Sequence, residues 1–193
     1  MKRFLSLLMV LALLLGLAGC SLFDGCNVKD LTPEQLGRVS ADALGKTVIA
    51  AHKAYGEVRP TLSAEDQKWM TENVGPVIDK ARDASVAYAY LAELTTAVDQ
   101  WRAAKAQALA SGAVIPSLSD YVTSQKMSEA VLALAKAVGH APEGEGEDLV
   151  TALIGQSDAI YNLAMTLLTE AMTAVEKAKA GQSLTLLMAP VPA

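Results

Sequence analysis

Few residues in this chain are of types that do chemistry readily. It has two cysteines, Cys20 and Cys26, and two histidines, His52 and His140. A structural zinc site needs four Cys or His ligands at short spacings, and no histidine or third cysteine lies near the cysteine pair. A di-iron bundle needs Glu-x-x-His on facing helices. Ile49 and Ala137 occupy the positions where those glutamates would stand. A c-type haem needs C-x-x-C-H, which is absent. A b-type haem held by His52 and one of Met127, Met165 or Met172 stays chemically open, but methionine at helical spacing ordinarily fills core gaps. Glu143, Glu145, Glu147 and Asp148 offer hard oxygens without the spacing of an EF-hand loop. They read as a solvated connector that puts negative charge at the start of the next helix. Neither a G-x-S-x-G elbow nor a glycine-rich phosphate loop is present. The chain is therefore expected to have no catalytic residue, no metal and no cofactor.

What Cys20 can do depends on the residues before it. Lys2 and Arg3 open the chain, and Phe4 to Leu15 is apolar apart from Ser6. A run this short does not span a bilayer, which takes ~20 apolar residues. A charged start, a short apolar stretch and small residues before a cut site make a secretory signal peptide. Leu17-Ala18-Gly19-Cys20 at its end resembles a bacterial lipobox. The resemblance covers the leader alone. It implies cleavage between Gly19 and Cys20 and a diacyl lipid on the Cys20 sulfur, often with a third chain on its amine. Thiol chemistry explains why the position is cysteine: its sulfur is the nucleophile that can carry a thioether-linked lipid. With two or three acyl chains at ~0.8 kcal/mol per buried methylene, such an anchor is stable. Ser21 follows where an aspartate would favour inner-membrane retention in enterobacterial lipoproteins. The resemblance thus implies an outer-membrane anchor facing the periplasm, or the outer face of the cell membrane in a single-membrane bacterium. A lipidated Cys20 cannot pair with Cys26. Cys26 then either bridges to another chain or is a plain thiol in the tether, and the second reading is the simpler.

Charge and composition narrow the class further. The net charge is −5, and loss of Lys2 and Arg3 with the leader makes the remainder more acidic still. That argues against nucleic acid, which needs a basic footprint, and against an extra electrostatic grip on anionic lipid. Aromatics are only 5% of the chain while alanine recurs throughout, a composition that favours helix.

The elements that must position these residues are accordingly helical. Residues 1–19 are the signal, 20–31 a lipidated tether, 32–181 one bundle domain and 182–193 an apolar tail. Thr32, Pro33 and Gln35 form a capping box, with Leu31 and Leu36 as its staple. They start a helix that runs to Val58, with Val39, Ala43, Leu44, Val48, Ala51 and Tyr55 inward. Pro60 closes it. Ser63 caps a short helix over 64–74, and Gly75-Pro76 separates this from a long one over 76–110. The long helix carries Ala81, Ala84, Tyr88, Leu91, Leu94, Val98 and Trp101 at steps of three and four, and spans roughly 50 Å. Ser117 or Ser119 caps a third helix over 118–138, with Tyr121, Val122, Val131, Leu132, Leu134 and Val138 inward and Gly139 at its end. The last helix is expected over 147–180, closed by Gly181. No stretch alternates like a strand. The fold expected is all-α: an elongated up-down four-helix bundle with one extra short helix before Pro76.

Two functions fit this outline. The leading one is a membrane-anchored envelope lipoprotein that binds another envelope protein as a non-catalytic scaffold or assembly factor. Its apolar tail, with Leu184, Leu186, Leu187 and Met188, then either folds back over the bundle or binds the partner. The alternative is a bundle that binds a small molecule or cofactor between its helices, with Tyr88 and Trp101 lining the pocket.

Overall fold

A computed structural model describes residues 33–181 and 184. The leader with Gly19 and Cys20, the tether, the Thr32 cap and Leu31 lie outside the described residues, as do Leu186, Leu187 and Met188. The described chain is an all-α helical bundle. Its helices are α1 (Pro33–Val58), α2 (Ala64–Asn73), α3 (Gly75–Ser111), α4 (Ser124–Val138), α5 (Gly146–Ile154) and α6 (Ser157–Lys179). Short 3-10 turns at Arg59–Thr61 and Leu118–Asp120 lie between them. The extra short helix before Pro76 is α2.

Local chemistry sets most of these ends. The Ser63 hydroxyl accepts from the Asp66 backbone N–H at 3.2 Å and starts α2, with Glu65 and Asp66 facing the positive end of the helix dipole. Pro76 sits in the first turn of α3, where its missing N–H costs nothing. Gly112 and Gly139, at φ 69° and 83°, take the left-handed conformation that ends α3 and α4 without steric penalty.

α3 is the hub, and each of the other five helices packs against it. α1 is antiparallel to it: Gly37 faces Ala92, and the Tyr55 hydroxyl lies against Gly75. α4 is also antiparallel. Near its end Lys136 reaches Asp83, while Pro116, ahead of its start, accepts the Trp101 indole N–H at 3.0 Å. α6 runs the same way, with Tyr161 beside Tyr88 and its later residues Ala171, Val175 and Ala178 against Met70, Val74 and Ile78. Ala81, Ala84 and Ala87 are fully buried on α3. Small side chains on a helix packed from several sides let the neighbours come close.

Three expectations need correction. The helix expected over 118–138 is a 3-10 turn and then α4. Ser117 caps the turn in a capping box with Asp120, and Thr123, not Ser119, caps α4 by accepting from the Lys126 N–H at 3.3 Å. The helix expected over 147–180 breaks at Gly155–Gln156, where the Gln156 N–H bonds back only three residues, to Leu153, at 3.0 Å. Gly155 lowers helix propensity at that point, and the tighter bond turns the axis. Finally, Leu132 and Val39 were expected inside. Both are exposed, Leu132 at 67%. α4 buries only the narrow face that meets α3, through Ala130, Leu134 and Ala137, so an apolar residue beside that face stays wet.

Candidate functional site

Tyr88 and Trp101, the expected pocket pair, lie thirteen residues apart on α3, about 20 Å along the axis. They share no partner. The Tyr88 ring stands 5.2 Å from that of Tyr161, tilted by 53°, and Ser40 on α1 hydrogen-bonds its phenol. Burial pushes that phenol above its ordinary 10.0, with the Ser40 bond acting the other way and Tyr161 and Asp158 adding to the rise. A phenol held protonated is no general base near neutral pH. Its side chain instead joins α3 to α1 through Ser40 and to α6 through the Tyr161 ring. Trp101 is buried at the far end of α3, holding the Pro116 carbonyl and covered by the Lys105 ammonium 4.5 Å from its ring. The two aromatics are separate packing centres and line no common pocket.

His52 is exposed at the α1–α3 seam, with Nε2 3.6 Å from Asp79 Oδ1. A haem ligand would have to point inward, and this histidine faces the carboxylate on the surface. His140 is exposed in the loop after α4. Among the described residues no group of three or more His, Cys, Asp or Glu is placed to hold a metal ion.

The tail makes one definite contact. Leu184 is 1% exposed and joins Met70, Val74, Ile78, Ala171, Ala174, Val175 and Ala178 in the core at the α2 end of the bundle. Of the two readings of the tail, folding back over the bundle or binding a partner, Leu184 takes the first: its side chain is inside the fold.

What the helices do bring together is a surface on the α1–α3–α4 side. A chain of charged groups crosses it, from His52 to Asp79, Arg82, Asp83 and Lys136, at 3.6, 3.3, 3.5 and 3.1 Å. Ion pairs this exposed contribute at most ~1 kcal/mol each, but they register the three helices. Ile49 lies one turn before His52, Val86 one turn after Arg82, and Leu132 one turn before Lys136. Because α1 and α4 both oppose α3, all three residues fall on the same side of the charged row. All three are exposed. Sequence periodicity did not find this face, because its residues lie on three different helices. A second apolar group lies at the end of α3, where Leu109, Val114 and Ile115 are exposed. Here the sequence did carry a signal, two β-branched residues between Gly112 and Pro116 in a turn.

Comparisons of the chain with protein-family models, with curated proteins and with solved structures find no match.

Proposed function

We propose that the chain is a bacterial envelope lipoprotein, acylated on Cys20 after cleavage at Gly19, that binds another envelope protein as a non-catalytic scaffold or assembly factor. The observation that carries the reading is Leu17-Ala18-Gly19-Cys20 at the end of a charged and then apolar leader. Among the described residues no helix is long and apolar enough to cross a membrane, so attachment in this reading rests on the lipid. Ser21 directs the lipoprotein to the outer membrane in an enterobacterial type of envelope, with the bundle in the periplasm.

The surface that supports a protein partner is the α1–α3–α4 face. Exposed apolar side chains scattered singly are ordinary, whereas a group bordered by charges is the usual composition of a binding surface. The apolar tail is the weaker candidate, since Leu184 is spent on the core. The test is cross-linking in intact cells with identification of the neighbours. I49K, V86K and L132K, made singly and together, should leave helicity intact and reduce recovery of one envelope protein, most in the triple variant. Unchanged recovery from the triple variant contradicts the assignment of this face.

A further inference from the structure

The end of α3 is apolar where it should be polar. Leu109 is 63% exposed and Val114 92%, with Ile115 exposed beside them. These side chains are not on loose chain. The Trp101 indole N–H holds the Pro116 carbonyl at 3.0 Å, and the Ala113 N–H returns to the Ala108 carbonyl at 3.0 Å, so the loop is fastened back along the helix. Between Asp99 and Asp120 the chain carries no acid and two cations, Arg102, which pairs with Asp99 at 3.6 Å, and Lys105, which lies over the Trp101 ring, in a protein that is acidic overall.

The position of this tip decides what it meets. Gly37 of α1 packs on Ala92 of α3. Above that level α1 has four more described residues, whereas α3 has nineteen before it ends at Ser111. At 1.5 Å per residue the tip stands about 22 Å beyond the start of α1, at the same end of the bundle. The chain from Cys20 enters α1 at this end. Thirteen residues reach at most about 45 Å, so a lipidated Cys20 in a bilayer is compatible with the tip touching that bilayer.

The geometry points to the α3 tip as a membrane-contact element: Leu109, Val114 and Ile115 enter the interfacial layer, and Arg102 and Lys105 face anionic lipid headgroups. The inference rests on acylation of Cys20. The lipid anchor alone leaves the bundle free to rotate. A second, shallow apolar contact with neighbouring cations fixes its orientation, standing the hub helix on the membrane with the α2 end outermost.

The test uses the full-length acylated chain in vesicles of phosphatidylethanolamine and phosphatidylglycerol. V114C, and E72C on α2 as the distal control, are made with C26S and labelled with a polarity-sensitive fluorophore. The label at 114 should shift to the blue and be quenched by nitroxide lipids about threefold or more beyond the label at 72. Protein that floats with the vesicles while both positions report water overturns the inference and leaves the anchor standing. Protein that does not float overturns both. A photoreactive residue at 114 that captures a protein rather than lipid in cells also overturns it, since the tip would then be a protein-binding surface.

Discussion

At the residue scale, the side chains that attract attention in the sequence are mostly structural. Tyr88 is the clearest case. Its phenol is neutral in the fold and its pKa is raised, first by burial. Stability from this group is fully present below the unfolded value of 10.0 and is lost as the pH rises through the higher folded value. Urea midpoints measured from neutral pH to above about pH 10 should fall for the native chain and fall less steeply for Y88F. Equal slopes would show that the phenol does not couple to folding. Leu184 gives a second prediction. L184A should destabilise the bundle by about 2–5 kcal/mol in denaturant unfolding, whereas a substitution at exposed Leu132 should stay within about 0.5 kcal/mol. Truncation after Gly181 would therefore confound any partner experiment, because it also removes a core residue.

At the element scale, capping and packing carry the argument. Removing the Ser63 cap by S63A should cost about 1 kcal/mol, read as a lower melting temperature with the helix content otherwise unchanged. The buried alanines of α3 should resist enlargement. A84L places a long side chain where Ala84 has no exposure at all, at a cost of about 1–3 kcal/mol. The helices themselves were legible from the sequence because turn chemistry and apolar spacing agreed: Ser63, Pro60, Pro76, Gly112, Gly139 and Gly181 all stand at or beside observed ends. Agreement failed where the local signals competed. Ser117, Ser119 and Thr123 are all plausible caps; Ser117 caps the 3-10 turn together with Asp120, and Thr123 caps α4. Gly155 alone did not announce a break, because a lone glycine is tolerated within many helices. Leu132 misled for a different reason. An apolar stripe predicts burial only as wide as the neighbouring helix, and α4 meets α3 on a narrow face.

At the scale of the whole molecule, the sequence identified α3 as the longest helix but not as the hub. Centrality depends on which helices surround it, and that is a property of tertiary packing. The same limit hid the candidate site. Ile49, Val86 and Leu132 are distant in sequence, and the antiparallel order of α1, α3 and α4 places all three, exposed, on the same side of the charged row. In the proposed arrangement the molecule has three distinct regions: an end that faces the bilayer, a flank that binds a protein and a closed distal core containing Leu184. The first two have meaning only if the chain is fixed to a membrane.

Acylation of Cys20 is thus the claim on which the rest depends. Cells grown with labelled palmitate should incorporate it into the native chain and not into C20S, and the C20S protein should move from the membrane fraction to the soluble one. An unlabelled native chain, with C20S held in the membrane as firmly as before, would contradict the account.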